Sequence, residues 1–413
     1  MNTSALLRLL RRLLDGGGEH GARTIVRFAR PEDGRRFLPK LAAKRASVGA
    51  LRAARPIRVI GGFSLPLSAA ALTPLLGYGC LLEEDASIKI SRALPRPIVR
   101  TDSKMDIPWG VRRIRAPQAW SRTTGQRVKV GVIDTGVDFG HPDLRHALSR
   151  GINLLQRASL PYDDNGHGTH IAGTISAANA SRGMIGVAPR TEIYPVKAFD
   201  TEGSAYVSDI ILGIEWCVHH GMDIVNMSFG MPNRSDALLK AVENAHKAGV
   251  LIVASSGNDG RKGRIDYPAG FGHTVAVGAL DRRGRIARFT NRSAAIDIYA
   301  PGAKVESAWP HGRRRVMSGT SMATSHVTGA VALLLSLRPG LSPGRIKDIL
   351  RRSAKPLAYD KAPPGGPGSS MCCGCWKSRA ILPTERGGRR RGTGRQGRRR
   401  YKRSRAGRCQ RCR

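Results

Sequence analysis

Three short stretches of the chain carry the residue types that nucleophilic acyl chemistry needs. Asp134 ends an aliphatic run in VIDTGVD, His167 sits in the glycine-rich DDNGHGTHIAGT, and Ser321 heads an apolar segment in SGTSMATSHVTGAVALLL. A serine hydroxyl is a poor nucleophile until a base takes its proton. The imidazole acting as base needs a buried carboxylate to fix its tautomer and stabilise its charged form. Asp, His and Ser supply all three parts. Singly, each has an ordinary explanation: Asp134 as a turn cap, His167 as a histidine satisfied within its glycine loop, Ser321 as a helix N-cap. Their chemistry therefore depends on the elements that position them.

From Val128 onward, short β-branched runs alternate with helical segments. VKVGVID, EIYPVKAF, DIVNMSFG, VLIVASSGN and HTVAVGAL suit parallel strands buried on both faces. Val207 to His220 and Ser235 to Lys247 have apolar residues at helical spacing, the second opened by a capping Ser235 and closed at Gly249. This alternation predicts an α/β fold with a doubly wound parallel sheet flanked by helices, which puts functional sites at the carboxyl ends of its strands. The three polar stretches fall where that rule puts a site.

Before this region lies a smaller α+β unit. TIVRF reads as a strand, Pro31 to Arg55 as a helix, IRVIGGFSLPLS as a second strand, AALTPLLGYG as a short helix and ASIKIS as a last strand. The segment from Arg92 to Asp106, with Pro95, Pro97 and scattered arginines, reads as an exposed linker.

Composition narrows the function classes. The 413 residues carry 69 Lys+Arg against 30 Asp+Glu, a formal charge of +39, which raises nucleic acid as a partner. The excess is concentrated at the two ends, with 18 basic and 7 acidic residues in 1–100 and 17 basic and one acidic in 361–413. The tail has Trp376 and Tyr401 but no base-reading module, so specific nucleic-acid recognition is not expected. Cys80 and Cys217 lie in the body, while Cys372, Cys373, Cys375, Cys409 and Cys412 crowd the tail with a spacing that fits a zinc site poorly. No run of about 18 apolar residues suggests a transmembrane segment. Arg8, Arg11 and Arg12 interrupt the first leucines, so no secretory signal is visible.

The three blocks closely resemble the signature blocks of the subtilisin-like serine proteases, peptidase family S8, whose chain order is Asp, His, Ser. The likeness runs from about Ile107 to Pro356 and is strongest in GHGTHIAGT and SGTSMAT, with ENAHKAGVLIVASSGNDG in support. It implies a serine endopeptidase acting through an acyl-enzyme, with Asp134 as orienting acid, His167 rather than His170 as base, and Ser321 as nucleophile. Asn258 would be the side-chain donor of the oxyanion hole, beside the backbone N–H of Ser321. Substrate would lie as an extended strand between Gly203 to Ala205, including Ser204, and Ser228, Phe229 and Gly230. Its P1 pocket, for the residue before the scissile bond, would be bordered by Asp259 and floored near Asp266, favouring Lys or Arg, with an ordinary surface-loop aspartate as the alternative reading of Asp266.

Residues 23–91 resemble the I9-type inhibitory propeptide that accompanies these enzymes. The resemblance divides the chain into an amino-terminal extension (1–22), a propeptide (23–91), a cleavable linker (92–105), the catalytic domain (106–360) and a basic tail (361–413). Arg92, Arg96 and Arg100 in the linker would suit an acidic pocket, so the chain is expected to process itself. No cofactor is required for the chemistry. Of the side chains in the family's strong calcium site only Asp143 remains, since Met105 and Ala180 occupy the other positions. Backbone carbonyls, Asp102, Asp106 or Asn179 would have to compensate. The usual Ser-Pro-His after the nucleophile's block is Thr324, Ser325 and His326 here, a change expected to alter helix packing more than chemistry.

The resemblance also implies protein substrates, the propeptide as intramolecular inhibitor, a monomer, and export as the setting, with action inside the cell as the alternative. Two rivals stand against the protease reading. An inactive relative would keep the fold without turnover. A nucleic-acid-binding protein would bind through residues 361–413.

Overall fold

The computed structural model describes residues 1–16, 22–90, 96–97, 107–178, 183–355 and 357. Most of the linker and the whole basic tail, with its five cysteines, lie outside the described residues. The arginines that interrupt the first leucines mark an amphipathic helix. In α1 (Thr3–Asp15) Leu6 and Leu10 are fully buried while Arg8, Arg11 and Arg12 face solvent, and the Asn2 side chain caps it by accepting from the Ala5 N–H.

Helix α1 packs against helix α2 (Pro31–Ser47) and the 3-10 turn Ala50–Ala53, over a four-stranded antiparallel sheet made of β1 (Thr24–Phe28), β2 (Arg55–Ile57), β3 (Gly62–Leu65) and β4 (Cys80–Glu84), in the order β2-β3-β1-β4. Helix α2 covers the sheet with Phe37, Leu38 and Leu41. Leu6 and Leu10 share one core with Phe28, Phe37 and Phe63, so the extension and the unit after it are packed as a single body.

Four readings of this unit change. The helix expected to reach Arg55 stops at Ser47, because Val48 takes an extended conformation and a 3-10 turn intervenes before β2. The second expected strand is two strands joined by a turn at Gly61, whose φ of 63° suits glycine. CLLEE, unassigned in the sequence reading, forms β4. The last expected strand, β5 (Ser87–Lys89), leaves its own unit.

Strand β5 pairs antiparallel with β10 of the following region. Beyond it, β6 (Arg96–Pro97) pairs with β16, and the short α3 (Trp109–Arg113) leads into the large sheet. The remaining strands are β7 (Lys129–Asp134), β8 (Ile152–Asn153), β9 (Glu192–Lys197), β10 (Ser204–Tyr206), β11 (Ile224–Met227), β12 (Leu251–Ser255), β13 (Thr274–Leu280), β14 (Ile298–Pro301), β15 (Val305–Trp309) and β16 (Arg313–Met317). Seven form one all-parallel sheet, β14-β13-β12-β11-β7-β9-β8. The order reverses between β7 and β11, which opens a crevice at their carboxyl ends.

Helices α4 (His167–Ser176), α7 (Thr320–Leu337) and α8 (Pro343–Ser353) contribute to the core on one face, and α5 (Val207–His219) and α6 (Asp236–Lys247) to that on the other. Ser235 caps α6, as its position in the sequence suggests, accepting from the Leu238 N–H at 3.0 Å. Helix α7 has a membrane-like length and a mean hydropathy of 1.3, but 89% of it is buried, as befits a core helix. It aims its amino-terminal residues at the crevice.

Candidate active site

Asp134, the last residue of β7, and His167, the first of α4, are both buried, with His167 Nδ1 2.7 Å from Asp134 Oδ1. The Thr135 N–H donates to the same carboxylate oxygen at 2.8 Å. Burial alone would lower the His167 pKa, but the charge and hydrogen bond of Asp134, with Asp163 adding to them, raise it overall.

Asp163 organises the turn that delivers His167. Its buried carboxylate accepts from the Thr135 hydroxyl and from the backbone N–H groups of Asn165, Gly166 and Thr169 at 2.8–3.1 Å, and also from the Thr169 hydroxyl. Gly166 must be glycine, since its φ is 108° and a Cβ would come within 2.2 Å of the Trp309 ring. His170, one turn on, faces away from this chemistry. Its Nε2 lies 3.2 Å from the carbonyls of Val305 and Arg315, and burial pushes its pKa down to about 3.

Ser321 is the second residue of α7, so its N–H belongs to the first turn, whose amides have no partner within the helix. The hydroxyl donates to the Ser228 carbonyl at 2.7 Å. Asn258 stands beside it: its Oδ1 accepts from the N–H and hydroxyl of Thr320 at 2.8 and 2.9 Å, which leaves Nδ2 as its donor end. An amide donor and a helix amino terminus side by side can hold an oxyanion.

This arrangement has known counterparts. The subtilase family model matches residues 125–375. The chain belongs to the subtilase family. It is 41% identical to an alkaline protease of Alkalihalobacillus alcalophilus over 292 residues, which cover 70% of this chain and 72% of that one. It is 44% identical to subtilisin Savinase of Lederbergia lenta over 252 residues, 61% of this chain and 92% of that protein. With subtilisin E of Bacillus subtilis (strain 168) it shares 42% over 253 residues, 60% of this chain and 66% of that one. As a subtilase it is a serine endopeptidase that hydrolyses proteins and needs no cofactor for the chemistry.

The residues expected to bind substrate in this subtilase fall at the start of β10, after β11 and in the loop beyond β12. Ser204 opens β10 and pairs with Lys89, and the carbonyl of Gly203 just before it accepts from Ile90 N–H at 2.8 Å. Ser228 to Gly230 follow β11, with the Phe229 ring packed 4.8 Å from Phe199. Asp266 is 8% exposed and so is no surface-loop carboxylate. It lies between Gly230 and Gly257: a Cβ on Gly230 would come within 2.6 Å of its Cβ, and one on Gly257 within 2.4 Å of its Oδ2. Asp259 is more open, its side chain half exposed, and is paired with Arg261.

Asp143 fits calcium only in part. Its Oδ2 accepts from Met184 N–H while Oδ1 is buried without a hydrogen-bond partner. No cluster of three or more His, Cys, Asp or Glu suited to a metal exists among the described residues, and calcium takes six to eight oxygens. Met105, Ala180, Asp102, Asp106 and Asn179 lie outside the described residues.

Sequence reasoning missed Asp163, Thr135, Thr320 and Asn291. Asp163 stood inside the quoted DDNGHGTH, four residues before His167, and its position ahead of a helix start was a usable signal. Nothing local marked Asn291, which bonds to Asp266 from 25 residues away.

Proposed function

We propose that the chain is a self-processing zymogen whose endopeptidase chemistry is carried by Asp134, His167, Ser321 and Asn258. Ser321 Oγ attacks the scissile carbonyl as His167 takes the hydroxyl proton, and Asp134 stabilises the imidazolium that forms. The oxyanion is held by Asn258 Nδ2 and the Ser321 N–H. Collapse breaks the C–N bond, with the His167 proton going to the departing amine. Water, deprotonated by His167, then releases the acyl group and restores Ser321. The observation that carries this reading is the buried 2.7 Å contact of His167 with Asp134, together with a serine in the first turn of a helix and an amide bonded to that serine's neighbour Thr320.

The amino-terminal body fits an intramolecular inhibitor that includes α1 as well as residues 23–91. Its β5 takes the edge of β10 that an added substrate strand would use. Glu83 reaches the start of α6, accepting from Ser235 Oγ and from Ala237 N–H, and Asp85 accepts from the N–H and hydroxyl of Ser208 in the first turn of α5. Carboxylates at helix amino termini are favourable partners. Residues 91–95 connect Ile90, bonded to Gly203, with Arg96, paired with Val316 next to the residues leading to Ser321. Self-cleavage is assigned to this connection, and of the three linker arginines it holds Arg92.

A basic P1 preference is supported by the buried Asp266 behind Gly230. Peptides ending in Arg should be cut faster than those ending in Phe, and the opposite order overturns the preference. Export, a monomeric state and a structural calcium at Asp143 are carried over from the family resemblance alone.

Intact mass and amino-terminal sequencing of wild type beside Ser321→Ala test the main proposal. Wild type should lose its amino-terminal body while the variant stays whole. If both stay whole and a serine-directed covalent inhibitor labels neither, the inactive-relative reading replaces it.

A further inference from the structure

The acidic pocket already contains a cation. Arg261 places Nη2 3.1 Å from Asp259 Oδ2 and Nη1 3.7 Å from Asp266 Oδ1, so one guanidinium spans both carboxylates. Its backbone is pinned there by Asn291, whose Oδ1 accepts from the N–H groups of Asp259 and Arg261, both at 3.0 Å. Asn291 Nδ2 in turn donates to Asp266 Oδ1 at 3.3 Å, so one buried amide fixes both the loop and the carboxylate facing it.

We propose that Arg261 is a built-in competitor for this pocket, holding between Asp259 and Asp266 the charge that a substrate Lys or Arg would bring, and so limiting the preference for basic residues. The inference rests on the reading of Asp266 as the P1 floor. The Arg261 side chain is 41% exposed and its contact with Asp266 is long, so moving it aside costs little, whereas Asp266 itself is nearly enclosed. An entering basic side chain must displace Arg261 or share the two carboxylates with it. Apolar side chains make no such demand. The native loop therefore makes the enzyme less selective than its two acids alone would.

The test compares two peptide p-nitroanilides that differ only in ending with Arg or Phe, on the matured enzyme. Arg261→Ser should raise the Arg-to-Phe ratio of kcat/KM about fivefold, the scale of a partly exposed ion pair, through a lower KM for the Arg peptide. Arg261→Lys should give a ratio nearer wild type, because it keeps the charge. Asp266→Asn should lower the ratio and cancel the gain when combined with Arg261→Ser. A ratio that stays level or falls in Arg261→Ser, while Asp266→Asn still lowers it, overturns the competitor role and spares the pocket. A ratio unmoved by Asp266→Asn overturns the pocket reading itself. Thermal melting and circular dichroism matching wild type check that each Arg261 variant is folded.

Discussion

Ser321 gives its hydroxyl proton to the carbonyl of Ser228, 2.7 Å away, on the edge assigned to substrate. A hydroxyl has one proton, so in this rotamer it is not donated to His167. Rotation about the Cα–Cβ bond of Ser321 redirects the hydroxyl, and a substrate strand bonding to the Ser228 carbonyl would remove the competing acceptor. The serine then loses its resting partner as the reacting carbonyl arrives.

Ser321→Ala or His167→Ala should lower kcat about a millionfold, the loss known for subtilisin itself. His170→Gln should stay within about tenfold of wild type, because His170 bonds to two backbone carbonyls away from the reaction. Turnover of one peptide substrate checks both, with every variant freed of its amino-terminal body by added wild-type enzyme that is then removed. A large loss in His170→Gln would mean the wrong histidine has been assigned.

Asn258→Ala should cost about 100- to 1000-fold in kcat with little change in KM, a range taken from the corresponding donor in subtilisin. The selectivity for kcat arises because the oxyanion exists only beyond the ground state. Since Asn258 also holds Thr320, Asn258→Asp is informative: it keeps the acceptor that binds Thr320 while removing the donor, and should be as impaired.

The acid limb of kcat/KM should lie above 6.5, the usual histidine value. Activity falls as pH drops through the raised His167 pKa, because the imidazolium cannot accept the serine proton. Asp163→Asn removes one of the charges that raise it, so the limb should move to lower pH as kcat drops. A pH–rate profile of the two enzymes measures this. An unmoved limb would leave Asp163 with a role in holding the turn only.

Stability should fall in mild acid. Burial holds His170 down to about 3 and His326 to about 4, so both stay neutral in the fold while the unfolded chain protonates them below about 6.5. The unfolded state then binds more protons, and each histidine costs roughly 1.4 kcal/mol per pH unit as pH falls toward its folded value. Melting of Ser321→Ala between pH 7 and 4 should show this loss, and adding His170→Gln should flatten it relative to the parent.

Much of the site was legible because Asp134, His167 and Ser321 each end or begin a regular element, and strand ends and helix starts can be read from local pattern. The central sheet was legible for the same reason: its β-branched strands are buried on both faces and stand out from the helices between them. Long-range partners were not. Asn291 reaches Asp266, and Glu83 reaches Ser235, only because the fold brings distant loops together. Strand β5 shows the limit most clearly, since ASIKIS has strand character but no sequence pattern says that its partner is β10. Helix α1 was less legible because Arg8, Arg11 and Arg12 interrupt its leucines, while Leu6 and Leu10 lie together on the opposite face.

The pairing of β5 with β10 would change character if, as proposed, the chain is cut between Ile90 and Arg96. Before the cut, the strand is tethered beside its partner at an effective concentration of the order of millimolar. Afterwards the same hydrogen bonds join two separate molecules, and dilution decides how much groove is free. A crowded pool of matured enzyme would therefore stay largely quiet, and the same molecules would become active simply by spreading out.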